Sequence, residues 1–591
     1  MRTENLHQLM RSALCALLGA AACAASPVGA TDTASPAPTP GPTRYIVEAS
    51  SAAAAHVSVV RAHGLVEQDL EIVHGVVANL NAAQAAALRM SAGVRIYADR
   101  TVGTKGTFAT TLVANASSST TLADGSGVSV PTFMYQTDYP AEVGADVLQK
   151  AGITGHGVTI AMLDTGLWQD FLQGYSTYTQ NGVTSRILAT RDVTNGGSGP
   201  VSGDPYGHGT HVTSIAAGGA MNLSGGYLGI APKANLVIVR AFDNSGVGRY
   251  TDVIAGLNWI LKNKKKYNIR VLNLSIGAPP QSDYWDDPLN QAVMAAWQAG
   301  IVVITAAGNE GPAPMTIGVP GNVPYVITVG ALTDNSTPYN YTDDRLASFS
   351  STGPTYEGFV KPELVAPGGH MVGSQQPTSF LANIDQDSMS KYQTLFTMSG
   401  TSQAAAVTTG VVALMLQSDP TLTPDTVKCR LMAAARPAIT TAGKLAYSVF
   451  QQGAGLINAV SAVNSAATGC ANVGLDINAD LAGTMHFGGP SNQDASGNYF
   501  VMDLGASAWR TPLVGDGYTW SQGYTWSQGY TWSQGYTWSK GYTWSKNTAW
   551  STGYTWSKGY TWSKSVPWWD TNGTASMTTS PASVVNWVEN E

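Results

Sequence analysis

The chain has 591 residues, of which 12% are charged, and a formal net charge of −7. That length exceeds what one hydrophobic core organises, so two or three folded units with linkers are expected. The small charge imbalance excludes the basic footprint of a nucleic-acid binder, and no apolar run after the first thirty residues reaches the ~18–20 residues that a spanning helix needs.

Residues 1–30 read as a cleaved signal peptide. Arg2 and Arg11 flank the start, the apolar run SALCALLGAAACAA follows, and Val28-Gly29-Ala30 forms a small-residue cleavage site. A lipid anchor at Cys23 is disfavoured, because Ala20, Ala21 and Ala22 put no large aliphatic residue before it. The expected location is secreted, extracellular or at the cell envelope. Residues 31–43 are Pro-rich and predict an extended linker. Over 44–102 the pattern gives a strand at YIVEAS, a helix at AQAAALRMS and a strand at VRIYADRTV, a small α+β unit. Residues 103–135, rich in Ser, Thr and Gly, predict an exposed connector open to cleavage.

From 136 to 468 short apolar runs alternate with helical segments such as TDVIAGLNWILKNKKK. The runs GVTIAMLDTG, NLVIVRAF, IRVLNLSIG, GIVVITAAGN and VPYVITVGAL are rich in Val and Ile and end in small or polar residues. This is the pattern of an α/β fold, a parallel sheet buried by helices on both faces. The KKK at 264–266 fits a solvated helix C-terminus. Catalytic groups in such sheets gather where strands end.

Asp164 ends the strand AMLD and precedes a glycine. His208, in YGHGTHVTS, opens a helix of small residues, and its flanking glycines permit close approach of other segments. A second GHG, at His156, leads straight into a strand and reads as a loop residue; His211 reads as a packing or hydrogen-bonding residue of its helix. Ser402, in MSGTSQAAA, sits at a predicted helix N-terminus, where backbone N–H groups favour a negative oxygen. A serine hydroxyl needs a base, and the base needs a partner that fixes its tautomer. Asn309, in AAGNEGP, can supply an amide donor for the oxyanion.

The motifs DTG, GHGTH, AAGNEG and SGTSQAA, in that order, resemble the subtilisin-like serine peptidases, the subtilases, across about 136–466. The resemblance implies that Asp164 orients, His208 is base and acid, Ser402 attacks, and Asn309 with the Ser402 N–H holds the oxyanion. It implies that Ser275, Ile276 and Gly277, in NLSIGA, pair with an extended substrate. Gly318 falls in the primary specificity pocket, with Glu310 at its rim. A roomy pocket there suits a large apolar or aromatic residue, and Glu310 also suits Lys or Arg. The 44–102 unit resembles the inhibitor-like propeptide of these enzymes, cut away within the connector.

The resemblance is not uniform. Where the family has Ala-Ser-Pro-His after the nucleophile segment, this chain has Ala404, Ala405, Ala406 and Val407. The stretch GGAMNLSGGY (218–227) does not match the family's calcium loop, so a structural calcium is compatible with the family but assigned to no residue, and catalysis needs no cofactor. WQDFLQGYSTYTQNGV (168–183) reads as an insertion near the site. Outside the signal segment the only cysteines are Cys429 and Cys470, which an oxidising compartment would allow to pair; two separate buried thiols are the alternative.

After a 469–516 extension, residues 517–564 carry eight six-residue units of the type GYTWSQ or GYTWSK, one of them NTAWST, followed by a 565–591 tail. The even period suits extended chain, with Tyr and Trp of a unit on one face. A meander and a stacked solenoid both fit. Aromatic rows of this kind suit contact with cell-envelope polymers or polysaccharide, self-association, or a packed β spacer. The sequence thus predicts a secreted, propeptide-inhibited serine endopeptidase acting on proteins or peptides. The alternatives are a narrow processing peptidase and a surface-binding protein whose peptidase domain is vestigial.

Overall fold

The computed structural model of the chain describes residues 43–104, 137–169, 174–179, 182–222, 225–334, 337–386, 388–390, 394–441, 445–493 and 497–501, with four short strands between 530 and 562. The predicted signal peptide, nearly all of the Pro-rich linker, the connector from 105 onward and the 565–591 tail lie outside the described residues.

The N-terminal unit runs β1 (Thr43–Glu48), α1 (Ala52–Arg61), β2 (Leu65–Leu70), β3 (Gly75–Leu80), α2 (Ala82–Arg89), β4 (Arg95–Ala98) and β5 (Thr101–Gly103). Both helices start on side-chain caps: Ser51 receives the Ala54 N–H, and Asn81 and Gln84 form a capping box. The antiparallel sheet has the order β2-β3-β1-β4. Alternation along its strands divides two apolar faces. Val47, Val76 and Ala78 pack with Ala55, Val59 and Leu88 of the helices. Ile46 and Val77 belong instead to the core of the large domain.

In the large domain, α3 (Tyr139–Glu142) and α4 (Ala145–Lys150) precede β6 (Thr159–Asp164). The antiparallel pair β7 (Ser176–Thr179) and β8 (Gly182–Ser185) overlaps the C-terminal half of the predicted insertion. Then come β9 (Ile187–Asp192), α5 (His208–Ala217), β10 (Asn235–Arg240), β11 (Val247–Arg249), α6 (Tyr250–Tyr267), β12 (Ile269–Leu274) and α7 (Pro288–Gln298). The sheet is completed by β13 (Val302–Ala306), β14 (Ile327–Thr333), β15 (Arg345–Leu346) and β16 (Leu364–Pro367). A hairpin of β17 (Met371–Ser374) and β18 (Leu395–Met398), with α8 (Phe380–Ile384) between its strands, leads to α9 (Thr401–Ser418) and α10 (Pro424–Ala434).

The eight-stranded sheet has the order β15-β14-β13-β12-β6-β10-β9, with β16 also on β14. Every pairing is parallel except β14 with β15. Helices α5 and α9 pack together and so do α6 and α7, and strands β6 and β12 touch helices of both pairs. This is why the strands are near-continuous Val, Ile and Leu. Chain order reverses at β6, whose neighbours are β10 and β12, and a crevice opens at the C-terminal ends of such strands. Helix α9 is buried on all sides from Thr401 to Leu416. Its small residues allow that: a Cβ on Gly410 would meet the side chain of Ile230.

The packed core continues beyond residue 468, where the sequence reading placed the domain's end. Phe487 joins the main core, while Tyr499 and Val501 pack with Val360, Met432, Val449 and Phe450. Cys429 of α10 and Cys470 form a disulfide with Cα atoms 5.1 Å apart. In the repeat region the strands Tyr542–Thr543, Tyr554–Trp556 and Tyr560–Trp562 pair antiparallel, and Tyr530–Trp532 pairs antiparallel with His486–Gly488. No helix among the described residues is long and apolar enough to cross a membrane.

Candidate active site

Strand β6 is buried along its whole length and delivers Asp164 to the crevice with 1% of its surface exposed. Its Oδ1 accepts the Thr165 N–H at 2.8 Å and faces Nδ1 of His208 at 2.7 Å. A carboxylate can only accept, so the proton of a neutral His208 sits on Nδ1 and the Nε2 lone pair is left to act as a base.

His208 begins α5, and the glycines around it have separate jobs. Gly207 has φ +106°, a conformation that side chains resist, and a Cβ there would collide with the Gln375 amide. A Cβ on Gly209 would meet the backbone oxygen of Gly166, so this glycine lets α5 lie against the turn after β6. Asp204, fully buried, ties the two segments. Its Oδ1 accepts from the Thr165 hydroxyl and the Gly207 N–H, each at 2.8 Å. Its Oδ2 accepts from the Thr210 N–H and hydroxyl, each at 2.7 Å. The carboxylate thus occupies the positive end of α5. The sequence reading passed over Asp204; its position four residues before His208, with Thr210 two residues after, was the available signal.

Ser402 is the second residue of α9, so its N–H is one of the first-turn donors that no intrahelical carbonyl receives. Its hydroxyl donates to the Ser275 carbonyl at 3.4 Å. The Ser275 hydroxyl in turn donates to the Ser402 carbonyl at 2.9 Å, and it is held by Asn273, which is held by Thr409 of α9. Half-buried Asn309 follows β13. Its Oδ1 accepts from both the N–H and the hydroxyl of Thr401, at 2.9 and 2.8 Å. Because a backbone N–H can only donate, the amide's orientation is fixed and its NH2 is left to the crevice side; Nδ2 lies 3.4 Å from where a Cβ on Gly400 would be.

His211 lies apart from this chemistry. It is fully buried, its Nε2 donates to the Phe396 carbonyl at 3.0 Å, and burial pushes its pKa down to about 4. Its Nδ1 receives the Gln403 amide at 3.4 Å, which links the first turns of α5 and α9. His156 sits on an exposed loop whose N–H bonds Gln417, away from the crevice.

The segment after β12 carries Ser275, buried Ile276 and Gly277. Gly277 and Gly103 exchange two backbone hydrogen bonds, at 2.9 and 3.2 Å. Next to it Ala278 and Val319 exchange two more, at 3.0 and 2.8 Å, and a Cβ on Gly318 would stand 3.1 Å from the Ala278 oxygen. Helix α9 is unbroken through Ala404, Ala405, Ala406 and Val407, all fully buried. Among the described residues no group of three or more His, Cys, Asp or Glu side chains is arranged to hold a metal ion.

The family description "Subtilase family" matches residues 155–455. Serine protease AprX of Bacillus subtilis (strain 168) is 41% identical over 281 residues, 47% of this chain and 60% of that protein. Subtilisin DY of Bacillus licheniformis is 33% identical over 327 residues, 54% of this chain and 96% of that protein. Fervidolysin from Fervidobacterium pennivorans, a solved keratinolytic enzyme related to subtilisin, shares the fold with a TM-score of 0.54 at 21% identity, over 72% of this chain and 61% of its own. The chain belongs to the subtilase family of serine-type endopeptidases.

Proposed function

We propose that the chain is a secreted serine endopeptidase, made as a zymogen, that cleaves peptide bonds through an acyl-enzyme on Ser402. The observation that carries this reading is the 2.7 Å contact of Asp164 Oδ1 with His208 Nδ1, at the end of the strand beside which α9 presents Ser402. Ser402 Oγ turns from the Ser275 carbonyl toward Nε2 of His208, which takes its proton as Oγ attacks the scissile carbonyl carbon. Asp164 stabilises the imidazolium. The Asn309 NH2 and the Ser402 N–H receive the oxyanion. His208 then gives the proton to the leaving amine, the C–N bond breaks, and water repeats the sequence on the ester to restore Ser402.

The zymogen part is supported by β5. It pairs antiparallel with β11 on one edge and bonds Gly277 on the other, so the N-terminal unit lies as a central strand in the cleft where an extended substrate would lie. The unit is anchored by Arg100 to Asp287 at 2.9 Å and by Asp99, which accepts from the Thr251 N–H and hydroxyl at 3.1 and 2.9 Å.

The test is secretion of the full chain beside Ser402→Ala, followed by intact mass and peptide hydrolysis. Loss of the N-terminal unit and hydrolysis by the wild type alone are expected. Equal processing of both, with no hydrolysis by either, would sink the proposal.

A further inference from the structure

Strand β5 ends at Gly103, and the next residue, Thr104, is 7% exposed. Its backbone N–H and its hydroxyl both donate to the Gly246 carbonyl, at 3.1 and 3.2 Å. A threonine hydroxyl has one proton, and here Gly246 receives it. The same hydroxyl is hydrogen-bonded to that of Tyr206, so the tyrosine is the donor and the threonine oxygen accepts. Gly246 completes the enclosure. A Cβ on it would stand 2.6 Å from the Tyr206 ring and 2.8 Å from the Thr104 hydroxyl oxygen, so the three groups leave no space for a side chain between them.

Tyr206 is itself held from behind. It lies two residues before His208 and is 2% exposed. Its ring stacks on Phe380 of α8, with centroids 5.7 Å apart and planes 19° from parallel. Leu381 and Phe396 form a small core with it. The backbone beside the ring is tied to α8 twice. The Phe380 N–H donates to the Pro205 carbonyl at 2.8 Å, and the Leu381 N–H donates to the Tyr206 carbonyl at 3.1 Å. The hydroxyl is thus fixed by its own side of the cleft, whatever occupies the place of Thr104.

We infer that Tyr206 is a specificity-determining residue: at the position that Thr104 fills, the cleft selects substrates carrying threonine or serine, recognised by the hydroxyl. The inference rests on the proposed Ser402 chemistry and on β5 lying as a substrate lies. An apolar side chain of threonine's shape, such as valine, would bury the Tyr206 hydroxyl against a methyl group. That cost falls on the complex and not on the open cleft, where water reaches the hydroxyl. A side chain longer than threonine would have to displace the ring from its stack on Phe380. The backbone N–H bond to Gly246 is common to every residue placed there and discriminates among none of them.

The experiment gives the secreted product of the full chain a mixture of peptides of random sequence and maps the cut ends by mass. Thr and Ser are expected to be enriched at one position on the acyl side of the cleaved bond. Two peptides that differ only in Thr or Val at that position should differ in kcat/KM by at least about 10-fold, in favour of Thr. Tyr206→Phe keeps the ring and its stack on Phe380 and removes only the hydroxyl. It should lower the Thr-to-Val ratio by at least about 5-fold while leaving the Val peptide within about 3-fold of wild type. Hydrolysis that depends on Ser402 but shows no hydroxyl preference at any acyl-side position overturns the inference and leaves the proposed chemistry standing. A Thr-to-Val ratio unchanged in Tyr206→Phe, or an equal fall for both peptides, shows that Tyr206 only supports the fold and overturns it too. A product that cuts no peptide removes the inference together with the chemistry beneath it.

Discussion

Asn309 gives its side-chain oxygen to Thr401, 2.9 Å from the N–H and 2.8 Å from the hydroxyl, and so turns its NH2 the other way. One amide thereby serves two purposes, capping α9 and aiming a donor. Asn309→Ala should lower kcat by about 10²–10³-fold with little change in KM. It should also cost about 1 kcal/mol of stability through the lost cap. Steady-state kinetics and thermal unfolding on the same preparation check both effects.

Asp164→Asn removes the charge that stabilises the imidazolium. Oδ1 serves both the Thr165 N–H and Nδ1, so where the amide NH2 takes its place it donates to Nδ1, which puts the His208 proton on the wrong nitrogen, and the Thr165 N–H loses its acceptor. A fall in kcat of about 10⁴-fold is expected. Substrate hydrolysis against pH, compared with the wild type, separates this loss from misfolding.

Asp204 touches no reacting atom yet receives four hydrogen bonds, one from Thr165 beside Asp164 and three from Gly207 and Thr210 around His208. Asp204→Ala leaves buried N–H groups without acceptors, each costing about 1–3 kcal/mol. A small displacement of His208 is worth about 10²-fold in rate. The expected result is a kcat loss of that order with KM little changed and an altered pH–rate profile. Asp204→Asn, which retains one acceptor, should fall between. A variant with lowered stability and unaltered kcat would show that Asp204 only supports the fold.

Glu357 is fully buried, and burial, with the Asp283 charge adding, raises its carboxyl from 4.5 to about 8. The unfolded chain releases this proton near the ordinary value, so between pH 4.5 and 8 the native state holds more protons and stability falls as pH rises. Glu357→Gln keeps an acceptor for the Tyr284 N–H, bonded at 2.7 Å. Denaturant unfolding should show the variant close to wild type at about pH 5 and more stable at about pH 9.

The proposed site residues Asp164, His208, Asn309 and Ser402 could be picked from the sequence because each ends or follows an apolar strand or opens a small-residue helix, and those boundaries are local signals. The parallel sheet was legible for the same reason, in runs such as VTIAMLD. Asp204 was not, because it sits in an aperiodic loop and acts through bonds to residues up to 39 positions away. The docking of 469–501 was also hidden: its elements are a few residues long and its apolar groups, Phe487, Tyr499 and Val501, show no period. Strand β5 is three residues long and ends in Gly, so its meaning comes wholly from its partners.

Strand β5 is held on both edges by segments of the same chain. While the backbone between Thr104 and Asp164 is intact, that strand and its groove belong to one molecule, at a local concentration that dilution does not change. A single break in that backbone leaves every contact in place but makes the partners separate molecules. From then on occupancy depends on how much of each is present. On the proposed zymogen reading, a preparation concentrated after the break would stay silent and one diluted would wake, with no change in any bond that the strand makes.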